Sequence, residues 1–358
     1  MAINFPQTYP SPPSINPNQH APPLNPDPHF PPPPRPTWSS FSRPLYTSFL
    51  LHSGLAVSTH ALAAVATNYR LDAKDVIWPG GMLLDAWYQS VGVPVIWGGR
   101  SVGDVISGFG WRESLILGGI TTHSLRLMYH LWKRAYKRGH DDIRYAYKKT
   151  EKSNWYLRSL VTDYLPEALF QTLICLPFTS PFRYEPAPGY SATWNWTDSL
   201  AVFLWTAGFA METLADYQLS KAKKSGKTQG HLMTEGVWSI VRHPNYLSNI
   251  LTHVAYPLLL VSTPLSHPAL VLGPLANYVF LRFFGGDALT ETYQEQHYAE
   301  AADYTKLGDL QEYRHTRNAV WPGLEAVKQG WTWAVVGLGA AGVVLERGLR
   351  AWAAPRVL

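Results

Sequence analysis

The chain has 358 residues and a net charge of +5, with 46% hydrophobic and only 15% charged residues. This length allows one or two domains, and the 15 Trp and 20 Tyr are a heavy load for a soluble enzyme. The single Cys175 excludes an internal disulfide and, inside an apolar run, indicates packing. The basic residues lie beside apolar segments, which indicates membrane flanks and argues against nucleic-acid binding.

Residues 1–44 hold about half of the 29 prolines and almost no charge, which lowers the mean hydropathy of the whole chain to -0.12. This composition predicts a disordered, Pro-rich tail or polyproline II structure. A ligand for a proline-reading partner is the alternative role. Neither a secretory signal nor an Arg-rich transit peptide is visible at the start.

The rest of the chain predicts an all-α fold, a polytopic transmembrane bundle of about six or seven spans, because each span needs about 20 apolar residues. The candidate spans are 45–67, 109–131, 158–178, 199–217, 246–264 and 268–285, with a weaker one at 331–346. The apolar but Pro- and Gly-broken stretch 76–98 fits either a re-entrant piece or a loop. The predicted organisation is a tail (1–44), an N-terminal span and loop (45–108), a main membrane domain (109–325) and a C-terminal apolar segment (326–358).

Lys and Arg alternate from loop to loop: residues 132–153 and 221–242 are basic, whereas 179–198 hold one Arg and no Lys. The positive-inside rule places the basic loops and the N-terminal tail in the cytosol. Chance alternation in a soluble helical protein is the alternative. We expect an integral membrane protein with a cytosolic N-terminus, by default in the endoplasmic reticulum.

A cationic stripe follows the second span. Arg126, His130, Lys133 and Lys137 recur at helical spacing and make one face, which Arg134 and Arg138 widen. Guanidinium groups fit phosphate oxygens. The alternative is contact with the headgroups of membrane lipids.

Glu212 and Asp216 stand four residues apart at the end of a predicted span. Two carboxylates on one helical face can accept hydrogen bonds from a ribose or an amide. Surface pairing with Lys221 and Lys223 is the alternative.

A dense polar run, Arg242-His243-Pro244-Asn245-Tyr246, precedes another apolar segment. Pro244 fits the first turn of a helix, with His243 near the cap. The helix start and the charge of Arg242 would suit an anion such as a pyrophosphate, and Asn245 and Asn249 lie one turn apart on one face. The alternative is an interfacial cap with a snorkelling arginine.

No metal site is predicted, because the histidines do not pair with Cys or carboxylates at a known ligand spacing. The GxGxxG run at 337–342 lies in an apolar helical stretch and lacks a strand before it, so it indicates helix packing. Arg282 and the run from Tyr313 to Arg317 are weak signals alone, since basic residues after a span are expected.

Together these motifs resemble the DUF1295 family, which is related to the C-terminal domain of steroid 5α-reductases. The resemblance covers roughly residues 110–325. Its pieces are Arg126-Leu127, Gly139 to Tyr145, Glu212 with Asp216 and Gln218, Gly236-Val237-Trp238, Arg242 to Tyr246, and Tyr313 to Pro322. The shared Arg-His-Pro-x-Tyr run alone is also typical of integral-membrane methyltransferases.

The resemblance implies a helical membrane bundle that binds NADPH from the cytosolic side and reduces a C=C bond conjugated to a carbonyl in a lipid-like substrate. The residues that it implies along the cofactor pocket are Asp216, Asn245, Tyr246, Arg282, Tyr313 and Arg317. Those that it implies at the cytosolic mouth are Asp142, Arg144 and Tyr145. Arg242, His243 and Asn249 complete the predicted cofactor-binding set.

The proton donor is not fixed by the motifs; Tyr145 and Tyr246 are candidates because a positioned phenol can donate a proton. The chain departs from its relatives at Ser248 and Asn249, where they usually carry a Gly-Glu pair. This departure keeps two alternatives open. One is a methyltransferase that uses S-adenosylmethionine, and the other is a non-catalytic membrane protein with a degenerate pocket.

Overall fold

The computed structural model describes residues 36–66, 70–142, 145, 149, 154–183 and 193–353. Over these residues the chain is helical and contains no β-strand, which confirms the all-α prediction. The main helices are α1 Ser42–Ala66, α2 Ala73–Trp87, α3 Val93–Ile96, α4 Val102–Ser107, α5 Trp111–Arg138, α6 Trp155–Ser159, α7 Leu165–Thr179, α8 Trp196–Lys224, α9 Pro244–Leu258, α10 Leu272–Val279, α11 Asp287–Glu300, α12 Tyr304–Thr316 and α13 Gly330–Ala353.

The start of the first helix corrects the predicted tail. A 3₁₀ turn spans Trp38–Phe41 and α1 begins at Ser42. The helical chain therefore begins before residue 44, because the buried Phe41 already packs into the apolar core. Residues 1–35, on which the proline-reading partner was predicted, lie outside the described residues.

Local chemistry sets several helix ends. α5 stops at Gly139, which adopts a left-handed φ of 72° that favours glycine. α8 starts where the Asn195 side chain accepts a hydrogen bond from Thr197 N at 2.9 Å. α9 starts at Pro244 with His243 as its N-cap, as predicted.

Three helical stretches are long and apolar enough to cross a membrane among the residues described: Trp38–Ala66, Pro268–Glu300 and Gly330–Ala353. This supports the membrane character of the chain, while a count of six or seven spans stays a prediction. The stretch 76–98 is mostly helical: α2 continues through a π-helical turn, Tyr88–Gly92, into α3.

The described residues form three apolar clusters. The largest joins α2, α5 and α7 to parts of α8, α9 and α10, the second lies mainly among α8, α9 and α13, and a small third cluster contains Leu71, Tyr145 and Tyr164. Glycines allow α8 to pack closely against α9 and α13. A Cβ at Gly208 would lie 2.6 Å from Ser248 O on α9, and a Cβ at Gly339 on α13 would lie 2.8 Å from the Phe203 ring on α8. Gly339 belongs to the GxGxxG run, so that run serves helix packing, as predicted.

Candidate functional site

A column of ionisable side chains joins α5 to α8. His123 Nε2 and Arg126 Nη2 lie 2.9 and 2.7 Å from the same oxygen, Glu212 Oε2. Arg126 Nη1 donates to Asp216 Oδ2 at 2.8 Å, and His130 Nε2 lies 3.5 Å from Asp216 Oδ1. We call these five residues the α5–α8 ladder.

The ladder follows from helical spacing on both sides. Its α5 members recur at intervals of three and four residues, and its α8 members stand four apart, so each set occupies one face. The described contacts of both carboxylates reach α5 rather than Lys221 or Lys223. The predicted pair on α8 is therefore an interior feature: Glu212 is 3% exposed and His123 is fully buried.

The ladder leads toward a cationic cluster at the ends of α5 and α8. Arg134 Nη2 and Arg138 Nη2 lie 3.3 and 3.1 Å from Asp142 Oδ2. Lys223 is exposed, yet desolvation by surrounding protein atoms, followed by the like charges of Arg134 and Arg138, lowers its pKa. Among the residues described, Arg134 and Arg138 contact Asp142 and Lys223 lies near them, and Arg138 Nη1 also lies 3.2 Å from Asp72 Oδ2. We call Arg134, Arg138, Lys223 and Asp142 the cationic mouth.

The segment that follows α5 is hydrogen-bonded to the start of α2. Asp141 accepts hydrogen bonds from Leu71 N and Asp72 N, both at 2.9 Å. The Tyr145 hydroxyl donates to Asp75 Oδ1 at 2.7 Å. The predicted mouth residues Asp142 and Tyr145 therefore have structural partners, whereas Arg144 lies outside the described residues.

A second ionic group lies at the start of α9. Glu291 Oε1 lies 2.8 Å from Arg242 Nε and 2.7 Å from His243 Nε2, and Glu291 Oε2 accepts from Arg314 Nε at 2.9 Å. Arg314 Nη1 also lies 2.8 Å from Glu295 Oε2. We call these five residues the Glu291 cluster.

The anion beside the polar run is thus a carboxylate of this chain. Glu291 was missed in the sequence because it stands in a mixed-charge segment with no spacing signal. Burial, the largest cause, lowers the pKa of His243, so its imidazole stays neutral near pH 7 and can hydrogen-bond to Glu291. The Tyr246 ring stacks on His243 with centroids 5.2 Å apart, and its hydroxyl lies 3.5 Å from Thr290 Oγ1.

Two predicted residues, Tyr313 on α12 and Arg317 at its C-cap, hydrogen-bond to backbone carbonyl oxygens. The buried Tyr313 hydroxyl lies against the carbonyl oxygens of Trp238 and Val241, 3.1 Å from the latter, and burial raises its pKa. Arg317 Nε donates to Ser239 O at 2.7 Å. Both residues hold the turn that precedes α9.

The other predicted residues, Asn249, Asn245 and Arg282, have unrelated contacts in the structure. Asn249 Oδ1 accepts from Asn277 Nδ2 at 2.9 Å, so an amide pair stands where the family resemblance implies an acid. Asn245 Oδ1 is buried and has no hydrogen-bond partner among the described residues. Arg282 forms an ion pair with Asp287.

An apolar groove with a volume of about 560 Å³ lies along the other side of α9. α10 and its preceding turn form the second wall, and Tyr278 and Trp321 stand at the lining. The α9 residues of the groove include Ile250, Val254 and Leu258. α9 also packs against α8, which carries Glu212 and Asp216 of the ladder.

The twelve predicted site residues thus fall into several places. Arg242, His243 and Tyr246 meet at the Glu291 cluster, with Tyr313 and Arg317 behind the same turn. Asp216 and Asp142 lie in the ladder and the cationic mouth. The sequence motifs did not single out His123 or Glu291, and they gave Lys223 only as a surface partner of the α8 carboxylates; for Lys223 the lysine-rich end of α8 was the available signal.

Comparison with protein families identifies the chain. The family described as proteins of unknown function, DUF1295, matches residues 63–310. The match covers more than half of the chain, so the protein belongs to the DUF1295 family. No curated protein and no solved structure matches the chain.

Proposed function

We propose that this member of the DUF1295 family is a membrane-embedded, NADPH-dependent reductase of a conjugated C=C bond in a lipid-like substrate, such as a steroid, a sterol or an enoyl compound. The observation that carries the proposal is the row of polar side chains along α5, which runs from the buried ladder to the cationic mouth. We place the protein in the endoplasmic reticulum membrane with a cytosolic N-terminus, since the basic loops, by the positive-inside rule, face the cytosol.

The cationic mouth fits the phosphates of the cofactor. Arg134, Arg138 and Lys223 carry three positive charges, and the carboxylates beside them among the described residues are Asp142 and Asp72, the second of which also pairs with Arg70. Desolvation and, after it, the like charges of Arg134 and Arg138 lower the pKa of Lys223, and a phosphate would counter the repulsion. Guanidinium groups bind phosphate in a bidentate manner, which adds geometric specificity to charge.

The ladder fits the ribose and amide groups. Asp216 is partly exposed and lies at the mouth side of the ladder, whereas Glu212 is buried. Carboxylates accept hydrogen bonds from ribose hydroxyls and from a carboxamide. Asn245, whose buried Oδ1 has no partner among the described residues, would add an acceptor on α9.

The apolar groove beside α9 would admit the substrate. Its volume of about 560 Å³ lies within the range of ligand pockets, and its walls are largely apolar. When bound, NADPH would supply the hydride, and a side chain or water would supply the proton that completes the reduction. Of the two candidate donors, Tyr246 lies on α9, whereas the Tyr145 proton is engaged by Asp75.

The structure gives the methyltransferase alternative no added support. A carboxylate for the amino group of S-adenosylmethionine is missing at Asn249. Glu291 does not replace it, because its two oxygens together receive four contacts from Arg242, His243 and Arg314, whereas each oxygen of Asp216 has one described contact. S-adenosylmethionine therefore enters the test as the comparison ligand.

The test is a binding titration on the full chain purified in detergent, with NADPH, NADH and S-adenosylmethionine measured side by side. We expect saturable NADPH binding that weakens about tenfold or more in Lys223→Ala, while NADH binding changes less because it lacks the extra phosphate. The matched control is Lys227→Ala, since Lys227 is an exposed lysine that pairs with Glu235 at 3.3 Å outside the mouth.

Two outcomes would contradict the reductase, and a third would contradict the phosphate site. Absence of NADPH binding by folded protein would favour the non-catalytic alternative, in which the Asn249–Asn277 amide pair fills a degenerate pocket. Binding of S-adenosylmethionine alone would favour methyl transfer. Equal losses of NADPH affinity in Lys223→Ala and Lys227→Ala would remove the cationic mouth from the site.

A further inference from the structure

A second buried polar group lies in the other half of the molecule, between α1, α2 and α7. His52 Nε2 lies 3.5 Å from Asp85 Oδ2 and 3.3 Å from Cys175 Sγ. One ligand atom from each residue lies within 4.8 Å of the others. His52 is 2% exposed, and the other two are fully buried.

The hydrogen bonding of this group is incomplete. The Asp85 carboxylate accepts a hydrogen bond from Gln89 Nε2 at 3.2 Å, and its Oδ2 has no close hydrogen-bond partner among the described residues. His52, 3.5 Å from Oδ2, supplies a countercharge only when it is protonated. The single Nε2 of His52 faces both a carboxylate and a thiol, and the buried His52 Nδ1 also has no hydrogen-bond partner there.

The position of this group, beside a candidate membrane span, makes an uncompensated charge costly. His52 lies at the middle of Trp38–Ala66, one of the stretches long enough to cross a membrane. An ionised carboxylate in such a place needs a countercharge, since an isolated buried charge costs several kcal/mol or more. No Lys or Arg contacts Asp85 within the described ranges.

We propose that His52, Asp85 and Cys175 bind a Zn²⁺ ion. Imidazole, carboxylate and thiolate are the three ligand types of protein zinc. With bond lengths of about 2.0–2.3 Å, tetrahedral zinc separates its ligand atoms by roughly 3.3–3.6 Å, which agrees with the 3.3 and 3.5 Å around His52 Nε2. Zn²⁺ also balances one carboxylate and one thiolate, and binding releases the thiol proton to solvent.

Neighbouring residues support the ligands. Gln89 Nε2 holds Asp85 Oδ1 and lies 3.4 Å from Ser48 Oγ on α1. Gly81 leaves space beside the imidazole: a Cβ there would lie 3.1 Å from His52 Nδ1 and 2.9 Å from Gln171 Oε1. The ion would join three helices of the apolar core, and it does not depend on the proposed reductase activity.

The single cysteine makes the test specific. We would measure the zinc content of the full chain purified in detergent, and then replace the metal by Co²⁺. The expected result is one metal ion per chain and a thiolate-to-cobalt charge-transfer band, which only Cys175 can produce. Cys175→Ser should lose the band, and Gln89→Leu should weaken metal binding about 10–100-fold, as removal of a supporting hydrogen bond does.

The matched control is His60→Gln. His60 lies two turns further along α1, is buried, and hydrogen-bonds to the backbone oxygen of Tyr156 at 2.8 Å instead. It should leave the metal content and the band unchanged. Absence of a stoichiometric metal or of a thiolate band in the wild-type protein would overturn the proposal, even if a ligand variant failed to fold.

Discussion

The Glu291 cluster and the α5–α8 ladder contain the same residue types but differ in charge balance. In the Glu291 cluster, two guanidinium groups face two carboxylates, and a neutral His243 completes the contacts. In the ladder, one guanidinium faces two carboxylates, and the excess of cations lies further out, in the mouth.

The two groups therefore use their charges for different purposes. A balanced cluster fixes the start of α9 against α11 and α12, so its main contribution is to stability. Charges of opposite sign that are held apart along a path remain able to attract different parts of one ligand. The motif that looked most like a cofactor site in the sequence forms ion pairs within the chain. We therefore favour the less conspicuous ladder as the binding candidate, and a cofactor role for Arg242 and His243 stays a prediction.

Among the substitutions that test this difference, Glu291→Ala should have the largest effect. It leaves two guanidinium groups and His243 without their shared carboxylate, and we expect a loss of about 3–5 kcal/mol in the free energy of unfolding. Thermal unfolding in detergent measures it. Glu295→Ala is the matched control, because Arg314 is the only ionic partner of Glu295 among the described residues and the Glu295 side chain is 46% exposed, so the loss should stay near 0–1 kcal/mol. Similar losses in the two variants would refute the assigned role of Glu291.

A smaller effect is expected from Gly208→Ala. The added Cβ would lie 2.6 Å from Ser248 O and would push α8 away from α9, at a cost of about 1–3 kcal/mol. Unfolding midpoints give the stability, and NADPH titration shows whether the ladder has moved. Gly118→Ala on α5 is the control, since a Cβ at Gly118 meets nothing within 4 Å. An unchanged midpoint for Gly208→Ala would show that the two helices do not pack this closely.

The smallest and most selective change is Asp216→Asn. Arg126 keeps Glu212 at 2.7 Å, so the midpoint of unfolding should move little. NADPH affinity should fall about tenfold, which is about 1.4 kcal/mol, because the ligand loses a charged acceptor. Asp309→Asn, at a surface contact with His231, should leave affinity unchanged. Full NADPH affinity in Asp216→Asn would exclude this carboxylate from the site.

Much of the architecture could be predicted from the sequence. Hydrophobic runs indicated the helices, Pro244 located the start of α9, and the glycines of 337–342 indicated close helix packing. The family was predicted from the order of its motifs and is confirmed over residues 63–310. The predicted tail extended too far, because composition alone did not reveal that Phe41 is buried in the core.

The partners of the polar residues could not be predicted in the same way. Helical spacing showed that Glu212 and Asp216 share a face, but their choice of Arg126 over nearby lysines depends on how α5 and α8 pack. Asn249 likewise meets Asn277 on another helix.

By itself, the sequence determined the local properties of this protein: the positions of its helices, their polar faces and caps, and its family. Only the tertiary structure decided which charges meet, as when Glu291 reaches Arg242 and when His52, Asp85 and Cys175 come together from three helices. The physical reason is that a helix presents a face through its own periodicity, whereas a contact between faces depends on the rotation and register of packed helices.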